Sequence, residues 1–341
     1  MDSLAELAAY RDLLFEVARA VFRGRNPERQ RVPKNFADGL DLRLVRVDNG
    51  SAIPVLERPS DRLFGVDDPF TGARDLVSDA VASVDGSIDF PTEFPLEALA
   101  QFNRFGKTLR GDEVIELHSP GSDRNPRYTP SVRKELVLRA SKNYKRDWIL
   151  LGTVSDLADR GDFDIRQLNG KTIRAAEALE HFDSIKEALH PLGSGPRVRV
   201  EGVAVLDASD TVVSMESIQS FDLVGPPTPD YVAAMASLNG IVLLTDGWFD
   251  GTGTGPSTDA VDAARSVLEL FAADELPAPR VYPTVEGGVR FEWTIDGADV
   301  ALDVAVSGAL DMFVVGDTSE SDAHHERVTP SDAVFLLRDL M

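Results

Sequence analysis

The chain has no cysteine, which excludes disulfides and thiolate metal ligands. Histidine is sparse. His118, His181, His190 and the pair His324-His325 are all there is, and none has the i, i+4 spacing of a helical zinc motif. The pair lies in Glu320-Ser321-Asp322-Ala323-His324-His325-Glu326, which reads as a polar surface turn, so neither a metal nor a cofactor is expected. No apolar run approaches the roughly 20 residues that a membrane-spanning helix needs. Stretches such as Ile241–Leu244 have only the length of a core strand. The opening Met1-Asp2-Ser3-Leu4-Ala5-Glu6 lacks the basic region of a secretory signal. A cytoplasmic protein without membrane contact is the expectation.

Lysine is scarce as well, at 7 residues against 28 arginines, in a chain with 57 acids and a net charge of −22. That balance fits a salt-adapted (halophilic) organism or a GC-rich genome. In high salt an acidic surface stays hydrated while screening shortens its self-repulsion. Acidity of this kind is a solvation feature first, not evidence for a basic partner.

A length of 341 residues with 43% hydrophobic content suggests two or three domains with ample material to bury. The pattern reads as a multidomain α+β protein: a mixed region over 1–120, a small OB-like β-barrel over 121–225, and a C-terminal α+β domain over 226–341. Leu7, Tyr10, Leu14, Val17 and Val21 form one stripe of a first helix, for which Ser3 and Glu6 have capping-box spacing. Leu40–Val47 and Ser51–Leu56 read as a hairpin about Asp48-Asn49-Gly50. Residues 57–73 read as loop, and two short helices follow at Asp75–Val84 and Pro95–Phe105. Segment 118–130 reads as a Pro/Gly-rich loop.

The middle of the chain alternates more clearly. Strands are predicted at Trp148–Val154, Phe163–Leu168 and Lys171–Ala175, then a helix at Phe182–Leu189, then strands at Val198–Leu206 and Thr211–Phe221. Three strands, a helix and two strands is the element order of an OB barrel. Beyond Pro226-Pro227-Thr228-Pro229 comes a helix at Pro229–Ser237 and a Gly-rich loop, Gly247–Gly255. Ser257 then caps a helix that shows Val261, Ala264, Val267, Leu268 and Phe271 on one face. Strands at Gly288–Ile295, Val300–Val306 and Leu310–Val315 complete a helix-on-antiparallel-sheet unit.

No catalytic motif survives inspection. Leu192-Gly193-Ser194-Gly195-Pro196 places serine one residue too early for a nucleophile elbow. Gly251-Thr252-Gly253-Thr254-Gly255 precedes a helix but lacks the Lys-Ser/Thr of a phosphate-binding loop, and Asp246 and Asp250 oppose an anion there. Asp246 would open a calcium loop whose twelfth position is Ser257 rather than glutamate. Glu292 beside Trp293 reads as the solvent-face neighbour of a core aromatic. Carboxylates are too abundant here for any pairing to be informative.

The run Trp248-Phe249-Asp250-Gly251-Thr252-Gly253, then a helix, Pro283, and Gly287-Gly288-Val289-Arg290-Phe291-Glu292-Trp293 resembles a family of small uncharacterised prokaryotic proteins. Those proteins carry a Trp-Asp-Gly-aromatic-Gly loop before a helix and a Gly-Gly-aliphatic-x-aliphatic-Glu-Trp strand after it. The resemblance covers about residues 240–315. It implies a setting near toxin–antitoxin or defence genes and supplies no functional residue. Phe249 stands where the family has Trp, and Thr252 replaces its aromatic.

The charges are unevenly placed. One basic segment holds Arg23, Arg25, Arg29, Arg31 and Lys34. The other holds Arg124, Arg127, Arg133, Lys134, Arg139, Lys142, Lys145 and Arg146, with Glu135 its one acid and Tyr128, Tyr144 and Trp148 interleaved. Cations neutralise phosphates and aromatic faces stack on bases, so this composition suits single-stranded nucleic acid or an acidic partner. The alternative is that these arginines pair with the chain's own carboxylates. The expectation is a non-enzymatic binding or regulatory protein with a protein partner. Nucleic-acid binding at 124–148 is the second reading, and an enzyme with an unrecognised site is the third.

Overall fold

A computed structural model describes residues 3–29, 31–40, 42–48, 53–57, 68–84, 88–111, 113–117, 125–167, 170–190, 195–316 and 322–341. The fold is α+β. The chain divides into two compact units: Met1–Leu109 with Val114–Lys145 and Asp207–Ser209, and Arg110–Glu113 with Arg146–Leu206 and Asp210–Met341.

In the first unit, helix α1 (Ser3–Arg25) buries Leu13, Leu14, Val17 and Ala18. The predicted stripe is therefore correct at its centre. Strands β1 (Arg43–Asp48) and β2 (Ile53–Glu57) pair antiparallel, and their Asn49-Gly50 turn lies outside the described residues. Helix α2 (Pro69–Ala82) begins six residues before its apolar pattern does. Pro69 pre-sets the first turn and the Asp68 side chain accepts from the Phe70 amide, so the cap and not the stripe sets the start. Phe36 is buried against Phe15, Phe22 and Phe70, with ring centroids 5.8, 5.4 and 4.9 Å away. The segment Leu96–Asn103 is 3₁₀ and not α-helical, and it ends at Asn103 with Arg104 as its cap, three residues before the expected stop; Gly106, with φ +76°, lies in the turn that follows.

Glu6 plays a different part from the expected cap. The helix already includes Ser3, and the buried Glu6 carboxylate instead accepts from the Gly106 amide (2.5 Å), the Thr108 amide (2.9 Å) and the Thr108 hydroxyl (2.7 Å). A carboxylate has enough lone pairs to satisfy three donors of a turn that no secondary structure bonds. Strands β3 (Ile115–Glu116) and β4 (Arg127–Tyr128) form a two-residue ladder. Helix α3 (Pro130–Leu138) follows, capped by Thr129.

The second unit contains two sheets. Strand β5 (Asn143–Leu157) is the longest of the described strands. With β6 (Phe163–Arg166), β7 (Thr172–Ala175), β8 (Arg197–Asp207) and β9 (Val212–Leu223) it forms a ring ordered β5-β6-β7-β9-β8. The ring is uneven. The β8–β9 ladder is long and antiparallel, whereas β7 and β9 share only Arg174↔Ser214 and Ala175↔Met215, in parallel. Helix α4 (Phe182–Ala188) lies between β7 and β8 in the chain. Gly170, with φ +82°, sits in the β6–β7 turn, where the Gln167 amide bonds the Lys171 carbonyl at 2.8 Å; Asn169 lies outside the described residues.

The other sheet is a five-stranded antiparallel meander: β10 (Arg280–Pro283), β11 (Val289–Ile295), β12 (Ala298–Val304), β13 (Leu310–Val315) and β14 (Ala323–Val328). One face buries Phe291, Trp293, Leu302 and Met312 in a core shared with α5 (Pro229–Ile241), α6 (Thr258–Ala273) and α7 (Pro330–Asp339). Ile241 thus ends a helix and is not part of a strand. The predicted α6 face is buried as expected. His324 and His325 lie on strand β14 and not on a turn, and His324 stacks on Phe313 with centroids 4.3 Å apart. No group of three or more metal-ligating side chains occurs among the described residues.

A buried ion network runs through this unit. The Asp274 carboxylate meets Arg199 Nε at 2.5 Å and accepts from Arg338 Nε at 2.7 Å, while Arg338 Nη1 bonds Glu201 at 3.0 Å and Arg199 pairs with Glu201 and Asp222. Both arginines are thereby matched by acids, the condition under which buried charge is tolerated.

Candidate binding surfaces

The basic segment at 124–146 is divided by the fold into side chains that serve the structure and side chains that do not. Arg124 lies outside the described residues. Arg133 is buried; its Nε donates to the Phe102 carbonyl (2.8 Å) and its Nη2 to those of Asn103 (2.8 Å) and Lys145. Its planar fork ties the carbonyls of Phe102 and Asn103, at the end of the 3₁₀ segment, to that of Lys145 on the strand that follows α3. Tyr128 is buried, stacks on Phe105 at 4.6 Å and donates to the Phe105 carbonyl at 2.8 Å; burial raises its hydroxyl pKa well above the usual value, with Arg133 lowering it in part. Tyr144 is buried under the Lys134 ammonium, 5.6 Å from the ring centroid.

Arg139 pairs with Glu135 at 3.1 Å and covers the Phe90 ring. In the second unit Arg146 pairs with the buried Asp332 and stands 5.9 Å over Trp148. Lys145 is half-buried, and its amide bonds the Asn103 side chain at 3.0 Å. The interleaved tyrosines are core residues, so the basic stretch offers no stack of exposed rings. Arg127 and Lys142 are exposed, and no carboxylate pairs with either among the described residues.

The first basic segment behaves differently. Arg23 and Arg25 end α1, where cations suit the negative end of the helix dipole, and Arg29, Arg31 and Lys34 follow on the loop that returns to Phe36. All five are exposed. The one ion pair among the described residues here is the loose Arg29–Glu28 contact at 3.9 Å.

A third surface is built by the Gly-rich loop that the sequence reading set aside. Trp248, Phe249, Pro283, Thr284, Val285, Glu286, Arg290 and Asp303 line an open groove of about 340 Å³. The loop's backbone is spent on itself. Gly247 N donates to Gly253 O (2.8 Å), Phe249 N to Thr252 O (3.0 Å), Thr252 N to Phe249 O (2.8 Å), Thr254 N to Val285 O (2.9 Å) and Gly255 N to Asp246 Oδ1 (2.9 Å). With those amides occupied, the loop is no phosphate cradle. Trp248 Nε1 donates to Thr254 O at 3.1 Å, which fixes the indole against the backbone. Gly253, at φ +83°, lies so close beneath that a Cβ there would meet Trp248 Nε1 at 2.9 Å.

Side chains, by contrast, are left outward. Phe249, Val285 and Tyr282 are 53%, 44% and 42% exposed. Register aligns Tyr282, Arg290 and Asp303 in one row across β10, β11 and β12, and Arg290 clasps Asp303 with two bonds of 2.6 Å. Bonding to Asp303 raises the Arg290 pKa above the usual arginine value. Sequence reasoning singled out the Trp248–Gly253 run but not its partners, because strand register brings Arg290 and Asp303 to it and the β10–β11 turn brings Glu286. No family model, curated protein or solved structure matches this chain.

Proposed function

We propose that this is a non-enzymatic binding protein that docks a protein partner through the aromatic groove of its C-terminal sheet. The observation that carries this reading is apolar side chains held in solvent on a self-bonded backbone: Phe249, Val285 and Tyr282 beside a loop that needs no ligand to order it. Contiguous exposed apolar surface of this kind is a mark of interaction sites. Preorganisation also lowers the entropic cost of docking. The toxin–antitoxin or defence setting implied by the resemblance accords with a regulatory partner.

We read the ring as an OB-type barrel, which makes it a scaffold here. Its order is first-second-third-fifth-fourth, the third and fifth strands run parallel, and a helix lies between the third and fourth. The loop joining the first two strands carries Asp159 and Asp162, with Asp156, Asp162 and Asp164 gathered about Arg174. The bond from Arg174 holds the Asp162 carboxyl below its usual pKa. Such a rim does not suit a phosphate chain.

The test is a comparison of wild type and Phe249→Asp as baits in lysate of the source cells. A stoichiometric chain retained by wild type and lost by the variant is the expected result. Equal retention, or none by either, overturns the reading.

Nucleic-acid binding is the second reading, favoured by the exposed cations Arg23, Arg25, Arg31, Lys34, Arg127 and Lys142, unmatched by any described carboxylate in a strongly acidic chain. It predicts binding of a labelled single strand that weakens steeply with salt and loses slope when Arg127 and Lys142 are neutralised. Absence of binding at low salt ends it.

A further inference from the structure

The groove also specifies the chemistry of its occupant, an inference that rests on the docking role proposed above. Main-chain pairing along the free edge of β10 is disfavoured. Thr284 N bonds Gly288 O at 3.1 Å, so the alternation of an antiparallel ladder turns positions 281 and 283 outward, and Pro283 has no N–H to offer. Recognition must therefore run through side chains.

The charge around the groove is one-sided. Its single lining cation, Arg290, is spent on Asp303 through both of its short bonds. Asp250, at the loop tip, and Glu286, on the groove wall, are exposed and pair with no described cation. Beside them lie Trp248 and Phe249, with centroids 5.5 Å apart and planes tilted by 57°. Aromatic faces attract cations, and the methylene stems of arginine and lysine pack on apolar surface while their heads reach carboxylates. Glu286 acts electrostatically on Arg290, but that guanidinium is bonded to Asp303, so a carboxylate-bearing or phosphorylated segment would face net repulsion from Asp250, Glu286 and Asp303.

We infer that the groove takes an extended, arginine- or lysine-bearing segment of a protein partner. The stem lies along Phe249, Pro283 and Val285, and the cationic head reaches Glu286 and Asp250 beside the aromatic faces. A second copy of this chain is a poorer occupant, because two molecules of net charge −22 repel.

The experiment is selection of phage-displayed random dodecapeptides on the full chain. Affinities of the enriched peptides are then measured for wild type, Phe249→Ala and the double variant Asp250→Asn, Glu286→Gln. Asparagine tolerates the φ of +47° at position 250, so the double variant is expected to fold. Unfolding midpoints for both variants check this. The expected result is enrichment of net-positive peptides, about tenfold weaker binding by Phe249→Ala, and about threefold weaker binding with a flatter salt dependence by the double variant.

Neutral or acidic winners, no winners, or a double variant that binds as wild type overturns the inference. So does a Phe249-dependent dimer in ultracentrifugation, which would assign the groove to a second copy. Any of the peptide outcomes alongside a lysate partner still lost by Phe249→Asp overturns only the charge of the occupant. A partner retained by Phe249→Asp overturns the docking reading itself.

Discussion

The turn region around Arg133 and the loop around Phe249 are built on opposite plans. In the first, side chains are consumed in bonding the backbone: Glu6 takes the Gly106 and Thr108 amides, Tyr128 takes the Phe105 carbonyl, and Arg133 takes those of Phe102, Asn103 and Lys145. In the second, the backbone bonds to itself through tight glycine turns and leaves Phe249 and Val285 outside. Composition marks both as unusual. What separates structure from display is which half of each residue the fold has already used.

The contrast breaks most visibly at Arg133. Arg133→Met keeps the volume but strips three carbonyls of their donor, two of them with a 2.8 Å bond. A loss of about 3 kcal/mol is expected from unsatisfied buried acceptors, read as a lower urea midpoint. A loss under about 0.5 kcal/mol, within the range of ordinary surface changes, would mean that Arg133 is available for a ligand after all. On the other side, Gly253→Ala should cost about 1–2 kcal/mol, from a left-handed φ of +83° and a Cβ pressed on the indole. That variant should also weaken any Phe249-dependent binding, since the backbone bond of Trp248 is what orders the groove. Unchanged stability would show that the loop is looser than its hydrogen bonds imply.

Periodic segments were legible from sequence, and segments defined by distant partners were not. The α6 face follows a clean helical period, and Asp296-Gly297 names its own hairpin. Helix α7 was missed because Ala333 through Leu337 are all buried, which erases any stripe. Helix α3 starts at the last residue of the loop expected over 118–130 and shows no clean apolar stripe because Arg133 stands on its buried face, while β14 turns mostly polar residues outward. The charge reading met the same limit. Whether Arg146 is free depends on Asp332, 186 residues away, and no local pattern encodes that pairing. The groove unites the Gly-rich loop, the β10–β11 turn and the β11–β12 pair, so its aromatic lip was visible while its acidic wall was not.

The mildest test concerns Tyr10, whose ring packs 5.2 Å from Phe105, the ring that stacks on Tyr128. Burial pushes its hydroxyl from 10.0 up to about 12, opposed by the neighbouring Arg74 and assisted by Asp75. A phenol is neutral when protonated, so a raised folded-state pKa means that the fold favours the proton. Its contribution is fully present below pH 10 and is lost as pH rises towards 12. Tyr10→Phe should therefore unfold like wild type at pH 7 and outlast it between pH 10 and 12, because phenylalanine has no proton to lose. Identical alkaline curves for the two proteins would show that Tyr10 meets water. The consumed, side-chain-satisfied region would then be more open than its neighbours Tyr128 and Arg133 indicate.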